Sequence, residues 1–364
     1  MIENDYYLSI VIPAYNAERF IETALLSIIR QRTKWVEIVV VDDGSVDRSG
    51  EICTKYEKEN VHLVTILNSG AGCARNIGIE NCHGKWIMFL DSDDLVLNKF
   101  LTEELKVQLE KEEEQDTEII YTPKVLCDFD LEKRPQIVYP EKETDIQFYM
   151  PQLEFWACIY NRSFILNNKI RFFEYKVQDV ESAFRFRAFS KANKIVVKRD
   201  LIFYVHRDNP SSNVNTWKEN QLFETKAKVY WELMEEFEKD EPEVKLWLLY
   251  QAVFYLKCWM LFCLKNGFEY GEKDRLLQIL MIFNDNIPRK LKGDLSIKYK
   301  MLLTIIGFID KYKIIRNIYF LACGKRKKSF NTKKKNNFEI ENPSVVLEKL
   351  DQYQRIIYKE LRDV

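Results

Sequence analysis

The feature that most constrains the fold is an alternation of apolar, β-rich runs with helical segments over the first 100 residues. Four runs have the composition of buried strands: 7–12, which ends at Pro13, then 36–41, 61–67 and 86–90. Between them, 18–30 and 72–80 carry apolar residues at helical spacing, and Ser45 with Asp47 is expected to begin a further helix. This order predicts a mainly parallel sheet with right-handed crossovers.

Polar residues follow each of the four predicted strands. Ligands of such sheets bind at the carboxyl ends of the strands, so these residues are expected to converge on one edge. Six of the eleven glycines lie between Gly44 and Gly84, which concentrates backbone freedom in the same loops. The sequence therefore predicts a ligand-binding crevice at this edge.

Paired carboxylates follow the fourth strand at Asp91 and Asp93, with Ser92 between them. At positions i and i+2 of an extended segment their side chains can point to one side. A hard cation, Mn²⁺ or Mg²⁺, would satisfy both and also accept diphosphate oxygens. The alternative is a solvated acidic turn in which Asp94 caps a helix.

A second acidic pair, Asp42 and Asp43, follows the second strand. These carboxylates suit a nucleotide base edge or a ribose, and the alternative is a capping cluster before the next helix. Arg75 and Asn76 lie in the first turns of the helix after Gly72, where they could face a phosphate or a carboxylate. Alternatively, Arg75 simply neutralises the acidic cluster.

Taken together, 13–16 (PAYN), 41–45 (VDDGS), 68–78 (with NSG and ARNIG) and 89–94 (FLDSDD) resemble the family 2 glycosyltransferases of the GT-A fold. The close resemblance covers about residues 7–100, and a weaker one extends to about 215. It implies inverting transfer of a sugar from a nucleotide-diphosphate donor, expected to be a UDP-sugar, with Asp91 and Asp93 holding the metal. The donor-binding residues that it implies are Pro13, Tyr15, Asn16, Asp42, Asp43, Asn68, Gly70, Arg75, Asn76, Asp91, Ser92, His206 and Arg207.

The family also has an acidic base on the acceptor side, and 177–184 (VQDVESAF) is similar to that stretch. The resemblance makes Asp179 the general base that accepts the proton of the acceptor hydroxyl. Glu181 is the rival for this role, and a helix-capping function is the alternative for Asp179. His206 or Arg207 could neutralise the leaving diphosphate, or belong to a surface loop.

The rear of the chain is helical and basic. Residues 246–264 are apolar nearly all round, apart from Gln251 and Lys257, which leaves a buried bundle helix, an interfacial helix or a membrane span as alternatives. Residues 251–335 hold 19 basic and 6 acidic residues, and the basic run of 325–335 suggests binding to an anionic membrane surface. A solvated linker before a last helix, 343–362, is the alternative.

The counts of charged residues and cysteines argue against some classes of function. The whole chain has 55 basic and 56 acidic residues, which argues against a dedicated nucleic-acid binder. Eight cysteines without a CxxC pair favour reduced thiols and a cytoplasmic protein, and the strand-like run directly after Asp5 predicts no signal peptide.

The combined prediction is a glycosyltransferase with a Rossmann-like GT-A α/β domain (1–215), an α-helical accessory domain (216–323), and a basic linker with a C-terminal helix (324–364). Its partners are a nucleotide-diphospho-sugar and a polysaccharide or lipid-linked saccharide acceptor, with peripheral attachment to the inner face of the membrane; oligomerisation stays open. A nucleotidyltransferase of related fold would begin with a glycine-rich phosphate loop, which 13–16 does not provide. A non-catalytic membrane-associated assembly module is the other alternative.

Overall fold

The structure is a computed structural model of the chain that describes residues 6–31, 33–139, 154–174, 180–210, 219–236, 242–266, 275–276, 279 and 341–362. The chain divides into two compact units. The first combines Met1–Asn215 with Asn337–Val364, and the second is Thr216–Asn336. The last segment of the chain thus groups with the first unit, whereas the sequence prediction treats 324–364 as a segment of its own.

Eleven strands are found in the described part of the first unit. They are β1 (Leu8–Ala14), β2 (Val36–Asp42), β3 (Val61–Thr65), β4 (Trp86–Phe89), β5 (Leu95–Val96), β6 (Ile119–Tyr121), β7 (Lys124–Asp128), β8 (Gln136–Val138), β9 (Cys158–Asn161), β10 (Ile195–Val197) and β11 (Tyr204–Asp208). Seven of them form the main sheet in the order β10-β6-β9-β4-β1-β2-β3, and four form a second sheet in the order β5-β11-β7-β8.

The main sheet is parallel through its centre. β1 pairs in parallel with both β2 and β4, and β2 pairs in parallel with β3. Only β9 runs antiparallel to its neighbours, β4 and β6. All seven residues of β2 are buried, which explains why the strand, apart from Glu37 and Asp42, is apolar without the alternation of a half-exposed strand. The predicted α/β fold class with a parallel-rich sheet is confirmed.

Helices are found in both units of the chain. They are α1 (Ile21–Ile29), α2 (Ser49–Thr54), α3 (Ala71–Asn81), α4 (Glu103–Glu114), α5 (Arg162–Asn167), α6 (Val180–Lys191), α7 (Glu219–Glu236), α8 (Pro242–Asn266) and α9 (Pro343–Arg362). The predicted last helix is confirmed residue for residue by α9.

Two local predictions are wrong. Pro13 does not end β1, because the pairing with β4 stops at Val11 and the proline therefore has a strand neighbour only on the β2 side. Ser45 does not begin a helix, since its hydroxyl accepts the backbone N–H of Asn16 at 2.9 Å and α2 begins only at Ser49.

The C-terminal helix α9 packs on the second sheet of the first unit. Leu350, Tyr353 and Ile357 are buried in one hydrophobic cluster with residues of β5, β7 and β11. Arg30, directly after α1, pairs with Asp351 at 3.0 Å, and the Gln354 side chain donates to the Asn98 carbonyl at 2.6 Å. The amphipathic face of α9 therefore joins the first unit by apolar burial, strengthened by polar contacts on its rim.

In the second unit the described residues belong almost entirely to α7 and α8, which pack against each other. Tyr230 stacks on Tyr255 with ring centroids 5.7 Å apart, and Trp259 is fully buried. Phe254 and Leu261 of α8 are exposed. Among the described helices, none combines the length and apolar character needed to cross a membrane. The basic run 325–335 lies outside the described residues.

Candidate active site

The loops after β1 and β2 are tied to each other by Asn16. Its backbone is in the left-handed region, with φ of 50°, and its side-chain Oδ1 accepts the Val46 N–H at 2.9 Å. Its own N–H donates to the Ser45 hydroxyl at 2.9 Å. Tyr15, directly before it, is half exposed. Asn16 thus shapes the first part of the carboxyl edge, and the ring of Tyr15 is left free to meet a ligand.

Asp42 and Asp43 are both buried, and their carboxylates accept hydrogen bonds from backbone N–H groups of the strand-end loops. Asp42 Oδ1 accepts the Ser45 N–H at 3.0 Å. Asp43 accepts two backbone donors from the loop after β3, Ser69 N–H on Oδ1 at 2.6 Å and Gly70 N–H on Oδ2 at 2.8 Å. These charged acceptors hold two strand-end loops in register.

Two glycines in these loops have backbone conformations that side chains disfavour. Gly44 has φ of 71° and Gly70 has φ of 96°. A Cβ on Gly44 would lie 2.8 Å from the backbone nitrogen of Asn68. The close approach of the two loops, which places Asn68 beside Gly44, therefore depends on the missing side chain.

Arg75 of α3 is the central cation of the site. Its guanidinium is buried, with Nη2 2.7 Å from Asp91 Oδ1 and Nη1 3.3 Å from Glu181 Oε1. Burial opposes the charge, but the two carboxylates outweigh this effect and raise the pKa of Arg75. The rings of Phe155 and Phe172 face the guanidinium at 4.8 and 5.3 Å. Arg75 thereby brings together the predicted metal ligand Asp91 and the rival base Glu181.

Asn76, the neighbour of Arg75, is turned inward. Its Oδ1 accepts the Phe172 N–H at 2.9 Å, and its Nδ2 donates to the Phe172 carbonyl at 3.0 Å and to Glu174 Oε1 at 3.1 Å. Both ends of the amide are engaged within the protein. Asn76 therefore anchors the segment that leads toward Asp179, and Asp179 itself lies outside the described residues.

The loop after β4 carries the acidic pair of Asp91 and Asp93. Asp93 Oδ2 accepts a hydrogen bond from Asn209 Nδ2 at 2.8 Å. Burial, and then the charges of Asp94 and Asp91, raise the pKa of Asp93 to about 7. Ser92 is partly exposed at the same turn. Three carboxylates lie in one turn, and Asp93 has one side-chain donor, so the turn concentrates negative charge that favours a bound cation.

Behind this loop lies a fully buried carboxylate, Asp94. Its Oδ2 accepts from the Tyr204 hydroxyl at 2.6 Å and is 3.0 Å from His206 Nδ1, while its Oδ1 accepts the Arg207 N–H at 2.8 Å. Burial lowers the pKa of His206, but Asp94 outweighs this and the pKa rises to about 9. Trp156 stacks on His206 with centroids 5.3 Å apart. Asp94 therefore does not cap a helix but holds His206 as a cation on the site side of β11.

Arg207 follows His206 on β11 and its side chain leaves the opposite face of the strand. The residue is fully buried. Its Nε donates to the Asp93 carbonyl at 2.6 Å, and its Nη1 is 2.8 Å from Glu341 Oε1. Arg207 therefore supports the acidic loop from behind, and its guanidinium is not presented at the surface of the site.

Sequence reasoning missed four residues at this site. Asp94 stands inside the motif 89–94, whereas Tyr204 and Trp156 belong to none of the quoted motifs. The alternation of Tyr204 with His206 along β11 could have placed both on one face. Glu341 carries no local signal, because it reaches the site from the start of the last helix, far along the chain.

The donor set fits a metal that the protein shares with a ligand. Within the described part of the chain, no three His, Cys, Asp or Glu side chains are grouped as metal ligands. Mg²⁺ is usually bound by one or two carboxylates together with substrate phosphates. Asp91, whose side chain is 30% exposed, and the charge-crowded Asp93 provide that number of carboxylates.

Comparison with known proteins places the domain. Residues 9–155 match the model of the family described as glycosyl transferase family 2. The chain is 32% identical over 226 residues to the uncharacterized glycosyltransferase EpsJ of Bacillus subtilis, an alignment that covers 56% of this chain and 62% of EpsJ. It is 31% identical over 218 residues to a poly(ribitol-phosphate) beta-glucosyltransferase of Bacillus spizizenii, covering 57% of this chain and 33% of that enzyme. The chain thus spans less than two thirds of these relatives.

The fold also resembles solved structures. The crystal structure of S. aureus TarS 1–349 in complex with UDP-GlcNAc aligns with a TM-score of 0.61 and 22% identity, covering 92% of this chain and 97% of that one. An identity this low speaks for the fold alone. With the family match over the strand-end loops, the fold and the sequence agree. The N-terminal part of this chain is therefore similar to glycosyl transferase family 2 over residues 9–155 and has the GT-A fold.

Proposed function

We propose that the chain transfers one sugar, with inversion, from a UDP-sugar to a hydroxyl group of a polysaccharide or lipid-linked saccharide. The observation that carries the proposal is the acidic loop of Asp91 and Asp93, placed beside the buried cation Arg75 at the carboxyl edge of a family 2 domain. Like charges held together by burial are costly unless a cation joins them.

The nucleoside half of the donor is proposed to lie over the loops after β1, β2 and β3. The half-exposed ring of Tyr15 offers a stacking surface, and Pro13 and Asn16 fix the loop that presents it. Each oxygen of Asp43 accepts one backbone N–H, which leaves further lone pairs for a base or a ribose. Asp42, Asn68 and Gly70 shape the same surface.

The diphosphate half is proposed to lie at the loop after β4. Asp91 and Asp93 are the residues that would hold Mn²⁺ or Mg²⁺, and Ser92 lies between them. When bound, the ion supplies positive charge to the diphosphate oxygens. The protonated imidazole of His206, held by Asp94 at 3.0 Å, adds a second positive charge on the same side of β11.

The chemistry is a single displacement at the anomeric carbon. The acceptor oxygen attacks the anomeric carbon while the bond between this carbon and the diphosphate oxygen breaks. The nucleoside diphosphate leaves with the bonding electron pair. Asp179 is proposed to accept the hydroxyl proton. Glu181 stays the rival, because it is partly exposed and reaches Arg75 at 3.3 Å, on the guanidinium that also binds Asp91.

The proposal for the acceptor rests on the name of one relative and on the positive charge of residues 251–335. One relative is named as a poly(ribitol-phosphate) beta-glucosyltransferase, which supports a polymeric acceptor for this chain. The excess of 13 positive charges over residues 251–335 (19 basic minus 6 acidic) supports contact with an anionic membrane surface. Vesicle sedimentation tests the second point: charge reversal at Lys325–Lys328 should abolish binding to anionic vesicles, and unchanged binding would contradict it.

The assignment is tested by nucleotide-sugar turnover. A panel of UDP-sugars with Mn²⁺ is incubated with the native protein and with the Asp91→Ala/Asp93→Ala variant, and UDP release is measured. Hydrolysis or transfer by the native protein, lost in the variant, is expected. Equal turnover by both would contradict the enzyme assignment.

The base is tested separately from the donor site. Asp179→Asn should abolish transfer while UDP binding persists, because the base touches the acceptor and not the nucleotide. Glu181→Gln serves as the matched variant on the same segment. Full transfer by Asp179→Asn, together with loss in Glu181→Gln, would move the role to Glu181.

A further inference from the structure

The guanidinium of Arg207 has one carboxylate partner in the described structure, and this partner comes from the C-terminal segment. Glu341 Oε1 lies 2.8 Å from Arg207 Nη1, and the two side chains are 8% and 0% exposed. The Phe129 ring covers the guanidinium at 4.6 Å. A buried guanidinium needs a partner of opposite charge, so the position of Arg207 depends on Glu341.

The same arginine touches the acidic loop at two points. Its Nε donates to the Asp93 carbonyl at 2.6 Å, and its backbone N–H donates to Asp94 Oδ1 at 2.8 Å. The Asp93 carbonyl belongs to the backbone that carries both proposed metal ligands. A displacement of the guanidinium would therefore move this backbone relative to Asn209 and Arg75, which contact the two carboxylates.

Glu341 is itself held in a rigid frame. Its N–H donates to the Arg19 carbonyl at 3.2 Å, and Asn342 accepts the N–H groups of Ser344, Val345 and Val346 at the start of α9. The buried face of α9 then fixes this start against the second sheet. The carboxylate thus reaches Arg207 from a segment that is anchored directly before α9.

The pair is poorly explained as a source of stability. Arg207 Nη2 and Glu341 Oε2 are both buried without a hydrogen-bond partner in the described structure. Buried ion pairs with unmade hydrogen bonds can be replaced by apolar residues at little or no cost in stability. A role in holding the acidic loop accounts for keeping the charges.

We propose that Glu341 is a positioning residue of the donor site, which acts through Arg207 to fix the loop bearing Asp91 and Asp93. The inference rests on the proposed function. It makes the C-terminal segment, which follows the second unit in the chain, a contributor to the metal affinity of the transferase site in the first unit.

The experiment compares Glu341→Gln with Asp351→Asn in the full chain. Asp351 lies on α9 and pairs with Arg30 at 3.0 Å but does not touch the acidic loop, so it controls for loss of a contact made by the C-terminal segment. Mn²⁺ affinity in the presence of UDP is measured by titration of free Mn²⁺, together with the thermal midpoint and kcat at saturating metal.

Glu341→Gln should weaken Mn²⁺ binding about tenfold, as loss of an outer-shell contact does, while kcat at saturating Mn²⁺ stays within about twofold. Hydrogen exchange of the backbone of 91–97 should quicken in this variant alone. Asp351→Asn should keep the native affinity. Equal Mn²⁺ affinities for the two variants would overturn the inference.

The double variant Arg207→Met/Glu341→Leu covers the case in which Glu341→Gln folds poorly. Removing both charges should restore the thermal midpoint but leave Mn²⁺ binding weak, because the donor to the Asp93 carbonyl is absent. Native Mn²⁺ affinity in the double variant would overturn the inference. A native protein that binds neither Mn²⁺–UDP nor any donor would contradict the proposed function itself, and the inference with it.

Discussion

Two acidic pairs lie at the same edge of the sheet and are held in different ways. Asp43 has a backbone N–H on each carboxylate oxygen, at 2.6 and 2.8 Å. Asp93 has one side-chain amide at 2.8 Å, two carboxylate neighbours and a pKa raised to about 7. The first pair is stabilised by the protein's own donors, whereas the second concentrates charge that the protein only partly balances.

The difference explains how one edge of the sheet can serve as a frame, meaning loops that are fixed by hydrogen bonds within the protein, and also as a binding site. Carboxylates with their donors in place fix the loops after β2 and β3, and their loss should act on stability. Carboxylates that remain crowded keep an affinity for an external cation, and their loss should act on turnover. The predictions below separate these two behaviours.

The largest effect is expected for Asp93→Asn. The kcat/KM for a UDP-sugar should fall by about 10²–10³, because one of the two proposed metal ligands is lost. The thermal midpoint should not fall, since the repulsion from Asp91 and Asp94 is relieved. Steady-state kinetics and calorimetry measure both quantities. A metal chelator added to the native protein should give the same residual activity, and a variant that retains activity would refute the ligand role.

Asp43→Asn should lower stability, besides weakening the proposed contact with the nucleoside. The amide keeps one acceptor oxygen for two backbone donors, so one N–H of Ser69 or Gly70 is left without its partner. The free energy of unfolding should fall by about 1–3 kcal/mol, measured by urea denaturation. Glu51→Gln is the control, because its pair with Arg48 is exposed and contributes little. If the free energy of unfolding changes as little as in the control, Asp43 does not hold the loops after β2 and β3 in place.

Gly44→Ala tests the frame through its backbone. The substitution forces φ of 71° on a residue with a side chain and brings Cβ to 2.8 Å from the Asn68 nitrogen. A loss of about 1–2 kcal/mol in unfolding free energy is expected. Gly50→Ala, in helix α2 and without a positive φ, should be milder, because its Cβ would meet only the Asp42 side chain, at 3.2 Å, and no backbone atom. If the two variants are equally stable, the close approach of the loops is not what requires Gly44.

The smallest effect is expected for His206→Gln. Removing a partly exposed cation near the proposed diphosphate position should raise the donor KM about threefold at low ionic strength, with less effect at high salt. Kinetics at two salt concentrations measure this dependence. A KM that is unchanged, or a change that does not depend on salt, would place His206 in the frame with Asp94 and not with the charge-balancing residues.

The local sequence determines much of this molecule. Continuous apolar runs predict the central strands, because strands buried on both faces have no polar alternation. The convergence of four strand ends follows from parallel topology alone, and the amphipathic pattern of 343–362 defines α9. These features depend on periodicity along the chain, which the sequence contains.

The tertiary structure decided what the predicted site residues do. Asn76 and Arg207 carry polar side chains beside ligand motifs, yet burial turns both inward to hold other segments. Ser45 has a capping residue's chemistry, but its hydroxyl binds Asn16 across loops 29 residues apart. Glu341 enters the site from the other end of the chain. Sequence periodicity specifies which residues share an element; which of their hydrogen-bonding groups stay free depends on contacts between distant elements, and these exist only in the folded chain.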